Sequence, residues 1–183
     1  QVVVEVNGII SSCQSDSCAF EYRNEDTPSV TSVSPTSGFG GISPCQSPVV
    51  VECAGCGDSL EDLQVFFGDV EASIETILGN QITVCPGISA AGSVTVRVEV
   101  AGKGSSTGAH TFTYDIELDN IEPLTGPLTG GTVIQLNGKG FGTIVDDVSV
   151  TVGDNDCNVI EVTSSTVRCS TPSGVVDGAE DVK

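Results

Sequence analysis

Along most of the chain, apolar and polar residues alternate in short runs that end at Gly, Pro, Asn or Ser. Ile134 and Leu136, for example, lie two residues apart with Gln135 between them, as in a strand with one buried face. The chain is rich in valine and threonine, contains 22 Gly and 8 Pro, and has neither Trp nor Met. This mixture is typical of short strands joined by tight turns, so the sequence predicts an all-β fold.

The chain opens with QVVVEVNG, which has the pattern of a strand that ends in a turn at Asn7-Gly8. A domain rarely begins with an exposed apolar strand, because its unpaired edge promotes aggregation. The opening segment is therefore expected to belong to a domain whose other strands lie elsewhere.

The rest of the chain contains an internal repeat. Each copy has a strand before a Pro and a Gly turn, a strand ended by Gly-x-Gly, a strand ended by Gly-Asp, and a strand that reaches a Cys. The matched positions, first copy before second, are Pro35 and Pro123, Gly38 and Gly126, Gly55 and Gly138, Gly57 and Gly140, Gly68 and Gly153, and Cys85 and Cys169. The shared order indicates tandem domains of one type.

The second copy reaches Lys183 before the two further strands that the first copy has around Phe112 and Tyr114. The opening segment of the chain supplies the same pattern, with Phe20 and Tyr22 in the corresponding places. Joining the two ends of the sequence therefore gives a continuous strand where the repeat requires one.

Three domain assignments follow. Residues 1–26 are predicted to be the last two strands of a domain, residues 27–119 a complete domain, and residues 120–183 the first strands of a further domain. The predicted junction between successive units is formed by Gln1, Val2, Val3, Val4, Val182 and Lys183.

The repeat resembles the IPT/TIG domain, which occurs in plexins, Met-type receptors, fibrocystin-like ciliary proteins, Rel-type transcription factors and bacterial surface proteins. The second copy carries most of the resemblance, at Ile121, Pro123, Gly126, Gly130–Thr132, Gly138, Gly140–Gly142, Val152-Gly153, Cys157, Cys169 and Thr171-Pro172. The resemblance implies tandem immunoglobulin-like β-sandwiches of about seven strands, one complete and one split between the chain ends. It specifies the fold more than the function, because this fold serves many roles.

Eight cysteines and one histidine limit the covalent and metal chemistry. Zinc is disfavoured, because zinc sites need several Cys or His ligands at set spacings and the motif CAGC at 53–56 has no partner motif. The cysteines are therefore expected to form disulfides, which indicates an oxidising, extracellular compartment.

Two disulfides are suggested by position. Cys157 and Cys169 are spaced like the usual bridge of the family that the chain resembles, and such a bridge stabilises by roughly 3 kcal/mol. Cys13 and Cys18 flank a loop between two strands and are expected to pin that hairpin.

The remaining cysteines, Cys45, Cys53, Cys56 and Cys85, allow three pairings. We favour Cys45–Cys85 with Cys53–Cys56, since the start of the second strand should lie beside the end of its antiparallel partner. A free or intermolecular pair is the alternative.

The charge is strongly unbalanced, with 25 acidic residues against 6 basic ones and a net charge of −19. Nucleic acid is excluded as a partner, because phosphate binding needs a basic face. No membrane contact is expected within these residues, since no long apolar run occurs. The acidic surface fits a solvated exterior, cation binding or repulsion between neighbours.

Calcium is the one cofactor that the acidic residues suggest, because oxygen clusters at domain junctions could bind Ca²⁺. The first cluster is Asn24, Glu25 and Asp26, and the second is Asp115, Glu117, Asp119 and Asn120. The alternative for the second cluster is the solvated face of a last strand whose Ile116 and Leu118 enter the core. Ser/Thr/Pro-rich turns such as SVSPTSG could carry O-linked sugars.

No catalytic arrangement stands out. His110 has no specific partner with which to form a triad, and GKGFG lacks the features of a phosphate loop. The chain is predicted not to be an enzyme.

We expect a non-catalytic extracellular structural protein, a repeating unit of a stalk, fibril or filament. Units continue in one longer chain, which the lack of overlap between Lys183 and Gln1 favours, or copies join head to tail by donating N-terminal strands. Copies of the same chain are then the partners, with glycans as a second class. The rival function is a spacer or ligand-binding part of a receptor or adhesin ectodomain, and an accessory domain of a carbohydrate-active enzyme comes third.

Overall fold

The computed structural model describes residues 2–13, 18–23, 26–41, 45, 47–174, 178 and 181–183. The predicted all-β fold is confirmed within these residues: the strands form three sheets, and short 3-10 turns cover Leu60–Asp62 and Val145–Asp147. Gln1, Asn24 and Glu25, which the sequence singled out, lie outside the described residues.

The N-terminal segment forms a small hairpin of its own. Strand β1 (Glu5–Val6) pairs antiparallel with β2 (Ile9–Ile10). The predicted turn between them is confirmed, because Asn7 and Gly8 have φ values of 53° and 79°, as the type I′ hairpin turn requires.

The second sheet contains nine strands. They are β3 (Ser29–Ser34), β4 (Ser37–Gly38), β5 (Val49–Ala54), β6 (Leu63–Phe67), β7 (Val70–Leu78), β8 (Gln81–Cys85), β9 (Gly92–Val100), β10 (Gly104–Ser105) and β11 (His110–Tyr114). Their order is β3-β5-β8-β7-β6-β9-β11-β4, with β10 paired to β9. Strand β7 is shared, since it pairs with β6 up to Ala72 and with β8 from Ser73 onwards. The sheet therefore folds into two layers around one core.

The core of this first domain is built mainly from valine, as the scarcity of aromatic residues predicts. Three aromatic rings pack at its centre, with Phe67 and Phe112 edge to face at a centroid distance of 5.0 Å and Phe112 and Tyr114 at 5.2 Å. The buried residues around them are Val30, Val33, Val49, Val51, Leu63, Val65, Ala72, Ile82, Val84, Val96, Val98 and Val100.

The first and last parts of this domain are joined by a parallel strand pair. Strand β4 runs parallel to β11. The Thr113 amide donates to the Thr36 carbonyl at 2.8 Å, and the Asp115 amide donates to the Gly38 carbonyl at 2.9 Å.

The third sheet forms the second domain. Its strands are β12 (Glu117–Glu122), β13 (Val133–Lys139), β14 (Val150–Val152), β15 (Asn155–Val162) and β16 (Thr166–Ser170), in the order β12-β13-β16-β15-β14. Its smaller core contains Ile134, Leu136, Phe141, Val150, Cys157, Val167 and Cys169.

The strand registers correct the expected match between Cys85 and Cys169. Val159 of the second domain pairs with Cys169, and its counterpart Ile74 pairs with Val84. Cys169 therefore corresponds to Val84, one residue before Cys85. A shift of one residue moves a side chain to the other face of a strand, so the first domain has no counterpart of the Cys157–Cys169 bridge.

The Gly-x-Gly match also shifts, by two residues. Cys53 pairs with Val30 as Gly138 pairs with Leu118, so Gly55 and Gly57 correspond to Gly140 and Gly142. In the first domain Cys56 binds Cys53 through a disulfide. In the second, Phe141 folds back over Gly138, where a Cβ would lie 2.6 Å from its ring. One turn shape is thus held covalently in one domain and by packing in the other.

The expectation that Ile116 and Leu118 belong to the last strand of the first domain is wrong. Strand β12 is the first strand of the third sheet, which forms the second domain, and there Glu117 pairs with Lys139. Ile116 is 65% exposed and Leu118 is 41% exposed, so neither enters a core. Alternation predicted the strand correctly, but it carries no information on which sheet an edge strand joins.

Candidate functional site at the open edge of the second domain

The outer edge of β14 is partly covered by the residues that precede the end of the sequence. The Thr151 amide donates to the Lys183 carbonyl at 2.8 Å, and the Lys183 amide returns a bond to the Thr151 carbonyl at 3.0 Å. The Gly153 amide donates to the Asp181 carbonyl at 2.7 Å. Val182 lies between these bonds and packs against the core of the second domain.

The same contacts occur in the first domain, where β9 covers β6. The Gly68 amide donates to the Thr95 carbonyl at 2.9 Å, and Phe67 pairs with Val96. Gly153 and Val152 correspond to Gly68 and Phe67. Residues 181–183 therefore lie where residues 95–97 lie in the first domain, at the point where β9 starts to pair with β6.

In the first domain β9 continues, and its later residues complete the core. Val98 pairs with Val65, and Val100 pairs with Leu63. Strand β11 then adds Phe112 and Tyr114, which are 1% and 2% exposed. In the described part of the second domain, no strand occupies either of these places.

The missing cover leaves apolar side chains exposed in the second domain. Val30 is 2% exposed. It is covered by a loop in which the Thr107 carbonyl accepts a hydrogen bond from the Val30 amide. Its counterpart Leu118 is 41% exposed, and Ile144 and Val145 are also exposed. The second sandwich is open on one side, since the described residues supply one of its layers and only β14 and residues 181–183 of the other.

The N-terminal segment, residues 2–13 and 18–23, exposes many apolar side chains and contributes none to either core. Exposed side chains are Val2, Val3, Val4, Val6, Ile9, Ile10, Phe20 and Tyr22. The segment is held by a few local bonds, such as the Val2 amide to the Cys18 carbonyl at 2.8 Å and the Ser11 amide to the Val4 carbonyl at 2.8 Å. All eight side chains are more than half exposed, from Val3 at 52% to Tyr22 at 92%.

The four disulfides join the pairs that the sequence favoured. They are Cys13–Cys18, Cys45–Cys85, Cys53–Cys56 and Cys157–Cys169, with Cα separations from 5.7 to 5.9 Å. Each domain and the N-terminal hairpin therefore contain at least one covalent closure.

The second cluster of suggested calcium ligands does not form a metal site, and the first cluster lies mostly outside the described residues. Within the described ranges, no three Asp, Glu, His or Cys side chains lie together as a metal site. Glu117 is instead engaged by Lys139, whose Nζ donates to Glu117 Oε2 at 2.8 Å. That hydrogen bond raises the pKa of Lys139, with the nearby charges of Glu117 and Asp119 adding to it.

Apart from Lys183, the basic residues were not singled out from the sequence, yet several have structural roles. Arg97 donates to the Gly68 carbonyl at 2.6 Å and stacks over the Phe66 ring at 4.3 Å. Lys103 Nζ donates to the Gly55 carbonyl at 2.7 Å. In the sequence, only the small number of basic residues, 6 against 25 acidic ones, could have drawn attention to these side chains.

His110, the one histidine, lies on β11 and pairs through its backbone with Val96. Within the described ranges, no helix has the length and apolar character needed to span a bilayer.

Comparisons with known proteins agree with this architecture. The profile of the IPT/TIG domain matches residues 28–114 and 117–183. Human fibrocystin-L is 32% identical over 178 residues, which cover 97% of this chain, and human plexin-B1 is 39% identical over 93 residues, which cover 49%. The chain spans about 4% of the length of each of these relatives.

Among solved structures, the extracellular region of plexin A4 matches with a TM-score of 0.42 and 23% identity, over 86% of this chain and 17% of that one. The family profile covers most of the chain in two successive matches. In the second matched region the order β12-β13-β16-β15-β14 repeats the order β3-β5-β8-β7-β6 of the first. The chain belongs to the IPT/TIG domain family.

Proposed function

We propose that the chain is a non-catalytic, extracellular structural segment, part of an array of IPT/TIG domains in which the second domain is completed by strands like those of residues 2–23. The observation that carries this proposal is the pairing of residues 181–183 with β14, which reproduces the start of β9 on β6. An open sheet edge and an exposed apolar hairpin in one chain fit each other chemically.

The register defines where the completing strand would lie. Val98, Glu99 and Val100 face Val65, Gln64 and Leu63 in the first domain. The corresponding positions of the second domain are Val150, Ser149 and Val148. The strand that follows Lys183 would pair with these three residues, and Phe20 and Tyr22 would then supply the aromatic rings that Phe112 and Tyr114 provide in the first domain.

This edge is tested by substituting Thr151, whose amide points towards the completing strand. Proline at this position removes the donor without removing a bond to β15, since neighbouring residues in a strand point their amides to opposite sides. We expect the 183-residue chain and its Thr151→Ala control to associate in sedimentation experiments, whereas Thr151→Pro stays monomeric. Equal association of all three proteins would contradict the proposal.

Retention of the fold is checked by the Cys157–Cys169 disulfide, which joins β15 to β16 and whose Cys157 pairs with Val150 beside the substituted residue. If the Thr151→Pro protein keeps this bridge and the wild-type circular dichroism spectrum, its second domain is still folded and only the hydrogen-bond donor at the edge has been lost.

The completing strands come either from the same chain or from another copy. The mass of the native polypeptide, reduced and freed of sugars, separates these arrangements. A mass near 18.6 kDa indicates separate subunits joined head to tail as a filament. A much larger mass indicates a covalent array, which the sequence favours.

A receptor or adhesin ectodomain is the second candidate, and the comparisons favour it. One matching structure is the extracellular region of plexin A4, and the curated relatives are many times longer than this chain. Here the domains would act as a spacer. Sequencing of the native protein beyond these residues distinguishes the two, because the ectodomain requires a membrane anchor or a binding domain and the filament requires neither.

A further inference from the structure

The two domains contact each other through backbone atoms as well as side chains. The loop between β8 and β9 lies on the turn that follows β13. The Ala91 amide donates to the Gly140 carbonyl at 3.0 Å, and Ala90 forms an antiparallel bridge with Phe141. Phe141 itself is buried in the core of the second domain. This contact therefore connects the first domain directly to the core of the second.

Gly142 makes this approach possible. It has a φ of +74°, and a Cβ on it would lie 2.8 Å from the Cβ of Ala90, closer than side-chain carbons approach. The corresponding Gly57 has a similar φ of +88°, but a Cβ there would meet nothing within 4 Å. The backbone of the turn requires glycine in both domains, whereas only Gly142 also leaves room for the neighbouring domain.

A second contact crosses the junction beside the first. Lys139 Nζ lies 5.2 Å from the centroid of the Phe39 ring, which belongs to the first domain. The same ammonium group donates to Glu117 at the start of β12. A cation between a ring and a carboxylate is attracted by both, so Lys139 links the first domain to two strands of the second.

The connecting segment between the domains is short. Strand β11 ends at Tyr114 and β12 begins at Glu117, so only Asp115 and Ile116 intervene. The Asp115 amide is bound to the Gly38 carbonyl, and the Gly140 turn packs against the backbone of Asp115. A linker of this length with its backbone bonded on both sides has little freedom to rotate.

We infer that the junction is a rigid joint that holds the two domains as one body and fixes the direction in which the open edge of β14 points. Domains in one chain move relative to each other by default unless their interface restrains them. Here the restraints are the Ala91–Gly140 hydrogen bond, the close contact of Gly142 with Ala90, and Lys139. The inference does not depend on which strand completes the second domain.

The joint is tested by measuring distances between spin labels, introduced as non-natural amino acids at the exposed positions Leu78 and Ile160, one in each domain. Labelled protein is diluted with unlabelled protein, so that only distances within one chain are read. We expect a single narrow distance distribution for the wild type. A broad distribution for the wild type would overturn the inference.

Two matched variants test whether the contact between Gly142 and Ala90 is the cause of the narrow distance distribution. Gly142→Ala and Gly57→Ala impose the same backbone strain, but only the first adds a methyl group against Ala90. We expect loss of the narrow peak in Gly142→Ala and its retention in Gly57→Ala. Adding Ala90→Gly to the first variant should partly restore the peak. Equal behaviour of the two alanine variants would show that the domain contact does not restrain the joint.

A third variant avoids backbone strain. Lys139→Gln shortens the side chain by one atom, keeps it polar and removes its charge, so it weakens the contacts with Phe39 and Glu117. We expect a broader distribution with the melting of both domains unchanged. An unchanged distance distribution would show that Lys139 does not restrain the two domains.

Discussion

In the described part of the first core, Tyr114 carries a buried polar group that lacks a hydrogen-bond partner. Its side chain is 2% exposed, and its hydroxyl has no hydrogen-bond partner among the described residues. Burial raises the pKa of Tyr114 to about 12, because the charged phenolate loses its hydration. The hydroxyl is therefore retained at a cost to stability, while the ring contributes packing against Phe67 and Phe112.

Replacing Tyr114 with phenylalanine should leave stability at pH 7 unchanged or slightly higher, since an unpaired buried hydroxyl is removed and the ring remains. The native state holds the phenolic proton more tightly than the unfolded chain, whose tyrosine has a pKa near 10. Wild-type stability is therefore complete below about pH 10 and falls towards pH 12, by up to about 3 kcal/mol.

In Tyr114→Phe this alkaline fall should disappear. Urea unfolding at pH 7 and at several values above pH 9 measures the difference, with Tyr22→Phe as the control, because Tyr22 is 92% exposed. An identical alkaline fall in the wild type and Tyr114→Phe would contradict the assignment.

At the scale of strands and turns, the two domains stabilise equivalent elements in different ways. The Cys157–Cys169 bridge spans 12 residues and joins β15 to β16 inside the second core, where the sulfurs belong to residues 4% and 0% exposed. The first domain has Ala72 and Val84 in these places. Its own bridges lie at the Cys53–Cys56 turn and between Cys45 and Cys85.

Replacing Cys157 and Cys169 together with alanine should destabilise the second domain by about 3 kcal/mol, the value expected for closing a loop of this length. The first domain should unfold as before, because it shares no residue with this bridge. Thermal unfolding followed by hydrogen exchange resolves the two domains. The control is the double alanine variant of Cys13 and Cys18, whose bridge lies in the exposed hairpin and should leave both transitions in place.

Sequence reasoning reached the turns and the covalent closures but not every register. The Asn7-Gly8, Gly68-Asp69 and Gly153-Asp154 turns follow from local conformational preference. In the structure, Asn7, Gly8, Gly68 and Gly153 have positive φ values. The one-residue offset between Cys85 and Cys169 does not come from a bulge, since β7 and β15 have bulges at equivalent places. It is a difference in spacing, because Cys85 lies 17 residues after Gly68 and Cys169 lies 16 residues after Gly153. A match based on the order of the strands does not resolve a difference of one residue, although such a difference moves a side chain to the other face of its strand.

At the scale of the whole molecule, the family and the all-β architecture were predictable from the repeat, because its glycines and prolines fix turns in a set order. The open edge was predictable in part, since the second copy of the repeat lacks the counterparts of the two strands around Phe112 and Tyr114. The joint was not predictable. It depends on Ala90 and Gly142 meeting across two domains, and neither residue differs locally from its counterparts elsewhere in the chain.

The parallel pairing of β4 with β11 determines how the first domain responds to mechanical load. The chain enters this domain ahead of β4 and leaves it at the end of β11, so tension along an array pulls these two strands in opposite directions. The bonds from Thr113 to Thr36 and from Asp115 to Gly38 are then sheared together instead of being opened one after the other. We expect the domain to resist stretching in single-molecule pulling, and Thr113→Pro, which deletes the first bond, to lower the unfolding force. An equal force in both proteins would mean that the load passes through other strands.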